Sequence, residues 1–185
     1  MAWIETIDEA EATGELADLY DEIARERGKV ANIMQVHSLA PDAMRAHIDL
    51  YTALMFDGAD LPREECELIA TVVSAANGCE YCIEHHGVAL NAYWRDGERV
   101  RALVEDWRSL DLQPRRRAML AYAEALTETP ADVEESHVER LRETGLSEDE
   151  ILAVNLIASY FNFVNRIAEG LGVEVDEDER QGYEY

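Results

Sequence analysis

Eight consecutive residues carry most of the reactive chemistry in this chain: Cys79-Glu80-Tyr81-Cys82-Ile83-Glu84-His85-His86. Cys79 and Cys82 stand three apart, and His86 stands four beyond Cys82. In a helix those spacings share a face, with His86 one turn past Cys82 and His85 leaning to one side. Two thiols so placed can close a disulfide. An imidazole one turn away can take a proton from a thiol, directly or through one water. Asn77-Gly78 just upstream breaks the preceding helix, because glycine tolerates the positive φ of a helix C′ position. Cys79 therefore starts a new helix, where unpaired N–H groups and the positive end of the dipole favour a thiolate.

The preceding helix supplies a second element of the site. Glu67, Thr71 and Ser74 form a narrow polar stripe at i, i+4 and i+7, flanked by Ile69, Ala70, Val72, Val73 and Ala76. A stripe that narrow between apolar flanks is expected to be at least partly buried, and a buried carboxylate needs a partner. Antiparallel packing through the Asn77-Gly78 corner lets Glu67 approach His86. Glu67 then orients His86 and raises its basicity, and His86 deprotonates a thiol. The thiolate attacks an electrophilic sulfur or a peroxide oxygen, and the second cysteine resolves the product as a disulfide. Other readings compete. The C-x-x-C pair can be two small buried apolar residues. Cys79, Cys82 and His86, completed by Glu67 or His85, can hold zinc. Cys66 reads as packing, and His37, His47 and His137 as surface or ordinary core. Asn162 and Asn165, three apart with Arg166 one step on, either line a pocket near the cysteines or fix helix packing; buried amides must be paired in both cases.

The elements that position these residues are helical nearly throughout; only Val173 and Val175 alternate with acids in a strand-like way. Helices are expected over 15–27, 31–38, 42–55, 62–76, 80–94, 97–106, 115–127, 131–143 and 148–169. Pro41, Pro62, Pro114 and Pro130 all sit where a helix can begin, and Ser147 with Glu150 reads as a capping box. The expected organisation is one helical domain over 1–173 and an acidic tail over 174–185, frayed or packing only through Tyr183 and Tyr185. A faint echo at an offset of 85 relates Leu61-Pro62, Ser74 and Asn77 to Leu146-Ser147, Ser159 and Asn162. A second, at 75, relates Ala43-Met44-Arg45-Ala46 to Ala118-Met119-Leu120-Ala121, which suggests two related helical halves.

Composition removes several functions. The 185 residues include 16 basic and 40 acidic side chains, a formal net charge of −24, and Lys29 is the sole lysine. Nucleic acids and anionic membranes both demand a cationic footprint, so neither is an expected partner. Apolar residues make up 48% of the chain, enough for a core. The acidity reads either as a solvated surface or as adaptation to a salty, halophilic cytoplasm, where molar salt shortens the Debye length to about 3 Å. The start of the chain lacks a cationic, apolar leader. Ile151 to Phe163 is too short an apolar run to span a bilayer. Three cysteines are too few for a disulfide framework. A cytoplasmic, reducing location is the expectation.

Glu67, eleven intervening residues, then Cys79-x-Tyr81-Cys82-x-x-x-His86 resembles the signature of the AhpD-like alkylhydroperoxidases, within the carboxymuconolactone decarboxylase superfamily. Gly28-Lys29-Val30-Ala31-Asn32, Ser38-Leu39-Ala40-Pro41, Glu67-Leu68-Ile69-Ala70, Val73-Ser74-Ala75-Ala76-Asn77-Gly78-Cys79 and Tyr160-Phe161-Asn162-Phe163-Val164-Asn165-Arg166 resemble its peroxidase-related branch. The resemblance spans roughly residues 10 to 175. It implies an all-α antiparallel bundle that forms homo-oligomers, usually trimers or hexamers, with a dimer as the smaller alternative. It implies a peroxidase that needs no cofactor or metal, takes a hydroperoxide or disulfide substrate, and draws electrons from an unidentified thiol donor. Glu67 and His86 match the family's proton relay, Cys82 its attacking thiol and Cys79 its resolving thiol. Tyr81, His85, Ser74, Asn162 and Asn165 are candidate pocket residues. The helix terminus favours Cys79 as the reactive thiol, whereas the i+4 histidine favours Cys82; a positioned base with its own orienter is the stronger device, which favours Cys82. AhpD has a histidine between its cysteines where this chain has Tyr81, a phenol that titrates near 10 and can donate a hydrogen bond. The superfamily's other activity, lactone decarboxylation, has no use for a redox-active cysteine pair.

Overall fold

The chain folds into α-helices joined by short turns; among the described residues there are nine α-helices, two 3₁₀ turns and no strand. The computed structural model describes residues 2–56 and 60–175. Most of the acidic tail, with Tyr183 and Tyr185, lies outside them. Two compact units divide the chain, one formed by Met1–Thr52 with Arg166–Tyr185 and the other by Ala53–Asn165.

The smaller unit contains α1 (Glu15–Arg27), α2 (Asn32–Gln35) and most of α3 (Pro41–Met55). Leu16, Leu19, Tyr20 and Ile23 recur at i, i+3, i+4 and i+7, and all four are buried. The Tyr20 hydroxyl donates to the Ile7 carbonyl at 2.8 Å, and the Ile7 N–H donates to Ser38 Oγ at 2.9 Å. Those two bonds bind the extended N-terminal segment to the helices. Helix α2 is shorter than the expected 31–38, because the chain turns after Gln35.

The larger unit is built around α4 (Arg63–Asn77), buried without a break from Glu65 to Ser74. Each fully buried Leu, Ile or Val contributes about 1.5–3 kcal/mol by leaving water, so Leu68, Ile69, Val72 and Val73 make α4 the core. It forms an antiparallel hairpin with α5 (Glu80–Trp94) and also packs on α7 (Pro114–Glu128) and α6 (Gly97–Asp106). α8 (Glu135–Glu143) packs on α7. Pro41 and Pro114 open helices and Pro62 caps one. Pro130 instead opens a 3₁₀ turn ending at Asp132, so α8 begins at Glu135 and not at 131. Glu134 and His137 form a capping box there, which gives His137 a structural role. Arg115 and Arg116 occupy the first turn of α7, where the helix dipole disfavours cations. Carboxylates offset this: Arg115 pairs with Glu65 at 3.3 Å and Glu150 at 2.8 Å, and Arg116 with Glu64 at 2.7 Å.

Helix α9 (Glu148–Leu171) opens on the reciprocal Ser147–Glu150 bonds at 2.8 and 3.2 Å. It is 24 residues long and apolar enough in composition to cross a membrane, yet Ile151, Val154, Ile157 and Phe161 are buried in the protein's own core. Asn77 and Asn162, which correspond under the 85-residue echo, meet in a hydrogen bond of 3.2 Å.

Candidate active site

The chemistry-bearing residues converge at the α4–α5 corner, within the larger unit. Gly78 adopts a left-handed conformation, φ 69° and ψ 23°, and its N–H returns to Ala75 and Ser74 carbonyls. The Cys79 N–H then donates to the Ser74 carbonyl at 3.0 Å. These bonds satisfy the carbonyls that a helix end leaves open. Cys79 caps α5 with an extended backbone, and Cys82 lies in the first turn. Both thiols are buried, and all three cysteines are unbridged.

Across the hairpin, Glu67 is fully buried and divides its carboxylate between two cations or potential cations. Oε2 lies 2.7 Å from His86 Nδ1. Oε1 accepts from Arg63 Nε at 2.6 Å, and the other arm of the guanidinium closes on the same oxygen. Burial alone would raise the Glu67 pKa. The charges and hydrogen bonds of His86 and Arg63 outweigh it and hold the carboxyl below its ordinary value. Because the Glu67 carboxylate can only accept, Nδ1 is the nitrogen that carries a hydrogen in this contact, and the neutral form of the ring has its lone pair on Nε2. Phe161 stacks edge-on against His86, with ring centroids 4.5 Å apart, which limits ring rotation.

Arg63 is the member of this cluster that the sequence reading did not single out. It is held by the Met55 carbonyl at 3.2 Å and lies 3.6 Å over the Phe56 ring. Its signal was present: it stands four before Glu67, the spacing of a helical ion pair. Asking what else neutralises a buried carboxylate would have led to it.

The remaining candidates fall into two groups. Tyr81 and His85 stack at 4.6 Å beside the cysteine turn. Ser74, Asn162 and Asn165 belong to a polar relay between helices. The Asn77 amide donates to Asn162 Oδ1 at 3.2 Å and Asn165 Oδ1 at 2.9 Å. Asn165 donates to Ser74 Oγ at 3.2 Å, and Asn162 to Thr127 Oγ1 at 2.9 Å. This relay fastens the end of α4, and hence the corner before Cys79, to α7 and α9. Thr71 turns its hydroxyl back to the Glu67 carbonyl at 2.8 Å. Cys66 is fully buried, and burial above all pushes its thiol up to about 12, so it stays protonated. Among the described residues no group of three or more His, Cys, Asp or Glu side chains is arranged to hold a metal ion. Glu67, one candidate zinc ligand, has both oxygens committed to Arg63 and His86.

Comparison with known proteins bears on the family and the fold. Residues 41–125, which contain α4, the corner and α5, match the carboxymuconolactone decarboxylase family. The fold matches an uncharacterised peroxidase-related protein with an alkylhydroperoxidase AhpD core from Ralstonia eutropha, at 27% identity and TM-score 0.86 over 97% of this chain and 94% of that one. It matches a second peroxidase-related protein, from Silicibacter sp., at 26% identity and TM-score 0.87 over 99% and 96%. Residues 41–125 thus match the carboxymuconolactone decarboxylase family, and the whole chain has the fold of AhpD-like, peroxidase-related proteins. Another relative, the uncharacterised Bacillus subtilis protein YdfG, is 29% identical over 140 residues, which is 74% of this chain and 91% of YdfG. An alkylhydroperoxidase-like or related function is thereby supported for this AhpD-like chain at the level of the family.

Proposed function

We propose that the chain is a dithiol-dependent hydroperoxide reductase in which Cys82 attacks and Cys79 resolves. The observation that carries this reading is the buried Glu67 carboxylate, 2.7 Å from a histidine one helical turn beyond Cys82. A carboxylate–imidazole pair at that position serves proton transfer better than packing, because an apolar pair would cost far less to bury. In the first step His86 Nε2 takes the Cys82 proton. The thiolate attacks the terminal peroxide oxygen and the O–O bond breaks. The sulfur becomes a sulfenic acid, and the alkoxide takes the proton from His86 and leaves as the alcohol. The Cys79 sulfur then displaces hydroxide from the sulfenic sulfur, and its proton goes out with that hydroxide as water. The product disulfide returns to the dithiol by exchange with an external dithiol. The net change is one hydroperoxide and two thiol hydrogens to one alcohol, one water and one disulfide.

Peroxide consumption with a dithiol donor tests the reading. Wild type is expected to turn over, Cys82→Ser to be inactive, and Cys79→Ser to trap a sulfenic acid on Cys82 detectable by mass spectrometry. Activity that survives Cys82→Ser, in protein with unchanged circular dichroism, would overturn it. Turnover of a carboxylated lactone by the same variant would place the chain with the decarboxylases.

A further inference from the structure

We propose that Asn165 of α9 is a positioning residue for the dithiol: its buried amide clamps the last turn of α4 and so keeps Cys79 ordered beside Cys82. Asn165 is 1% exposed and Ser74 is fully buried. Both halves of the amide are used. Asn165 Oδ1 accepts from Asn77 Nδ2 at 2.9 Å, and Asn165 Nδ2 donates to Ser74 Oγ at 3.2 Å. Ser74 and Asn77 stand three apart, so one amide bridges the two ends of a single helical turn. A leucine would be cheaper to bury, since a buried amide costs free energy unless it is paired. The pairing here goes to the turn that leads into the thiols.

What the clamp holds is the Ser74 carbonyl. It receives the Gly78 N–H and also the Cys79 N–H, the latter at 3.0 Å. Cys79 has an extended backbone at the start of α5, and its own carbonyl accepts from the Ile83 N–H at 2.9 Å. Cys82 lies inside α5 and is fixed by that helix. The placement of one thiol relative to the other therefore depends on the Ser74 anchor. Asn162 supplies the contrast. It also meets Asn77, at 3.2 Å, but its own amide nitrogen donates to Thr127 Oγ1 at 2.9 Å and to the Ala158 carbonyl at 3.0 Å, away from Ser74. One arm of the relay reaches the anchor and the other does not. A clamped pair closes its disulfide without first ordering the corner. An unclamped pair must order the Cys79 backbone as the bond forms, and fixing one residue's backbone is worth about tenfold in an equilibrium constant. The inference rests on the function proposed above only in taking Cys79 and Cys82 as a redox couple.

Equilibration of the full chain with dithiothreitol tests the clamp without peroxide. The Cys79–Cys82 dithiol passes two electrons and two protons to oxidised dithiothreitol, giving the protein disulfide and reduced dithiothreitol, and mass spectrometry after alkylation reads the ratio. Asn165→Ala is expected to lower the constant for disulfide formation by about tenfold, and Ser74→Ala to lower it as well. The double variant should be no lower than the worse single variant, because both act through one contact. Thr127→Val, which cuts the other arm, should lower the urea midpoint and leave the constant unchanged. Ser74→Ala deletes one oxygen and favours the helix, so it decides the question if Asn165→Ala does not fold. An unchanged constant in the folded clamp variants, additive losses in the double variant, or an equal shift in Thr127→Val would each overturn the proposal. Peroxide turnover is measured on the same proteins. A wild type whose disulfide is sensitive to Asn165→Ala but which leaves peroxide untouched would support the clamp and overturn only the hydroperoxide reading.

Discussion

A fully buried carboxylate is tolerated at Glu67 because each oxygen meets a donor. Removing one partner leaves a buried charge half compensated, which costs about 3–5 kcal/mol. Arg63→Met is therefore expected to lower unfolding stability by about that amount in urea titration, and to lower peroxide turnover with it. Arg63→Lys keeps the charge but loses the planar fork, so it should fall between the two; a Lys variant as unstable as Met would show that geometry, and not charge, is what Glu67 requires. The depressed Glu67 pKa has a definite sign: its contribution is present above the unfolded carboxyl pKa and is lost as pH falls through the folded one. A second buried group shows the other acid effect. His47 donates or accepts at 3.2 Å with His37, and burial, with the His37 charge, holds it down to about 3 from 6.5. The native state binds fewer protons than the unfolded state between those values. Stability is full above pH 6.5 and falls by up to about 1.4 kcal/mol for each unit below it. His47→Gln should flatten that slope between pH 7 and pH 5, and an unchanged slope would assign it elsewhere. The Glu67–His86 pairing was legible because helical spacing and a corner glycine place both residues. Arg63 carried a signal only in its i−4 spacing to Glu67, and Phe161 carried none, because a contact between helices distant in sequence leaves no mark in the pattern of either.

At the scale of elements, punctuation residues carried the boundaries. Helices α1, α5 and α6 begin and end where the apolar period and the neighbouring glycines or acids place them. The start of α8 was misjudged because Pro130 satisfies a 3₁₀ turn as readily as an α-helix, and nothing local distinguishes the two. The Asn77–Asn162 contact was foreshadowed only as a faint repeat, because tertiary pairing leaves no periodic signal in either helix. The α4–α5 corner offers the cleanest test. Gly78 sits at φ 69°, and an added Cβ there would meet nothing within 4 Å. Gly78→Ala therefore carries a conformational cost alone, about 1–2 kcal/mol for a left-handed residue. Its melting temperature should fall by roughly 2–8 °C, and the dithiol reactivity should fall further than the stability does, because the corner aims Cys79. Equal losses in both would mean that the corner is only a turn.

The whole molecule carries its charge unevenly. Its scarce arginines are placed against particular acids: Arg45 against Glu22 at 2.7 Å, Arg116 against Glu64 at 2.7 Å, and Arg142 against Glu148 at 2.6 Å. With 40 acids and 16 bases, the carboxylates outnumber the available cations by 24. The exposed pairs among these, Arg45–Glu22 and Arg142–Glu148, contribute little and weaken in salt, whereas self-repulsion at −24 acts over the whole surface and is relieved by salt. The second effect is the larger, so the melting temperature should rise between about 0.1 M and 1 M KCl as the Debye length shrinks from about 10 Å to about 3 Å. The same screening reaches the chemistry. Glu80 and Glu84 are exposed on the helix that carries both thiols, and nearby carboxylates disfavour a thiolate. Alkylation of the dithiol by a neutral reagent should therefore accelerate with ionic strength at fixed pH. A neutral reagent removes screening between reagent and protein as a cause. If melting rises while alkylation stays flat, the acidity serves folding and leaves the thiols untouched; if both stay flat, the charge is a solvated surface with no adaptation to salt.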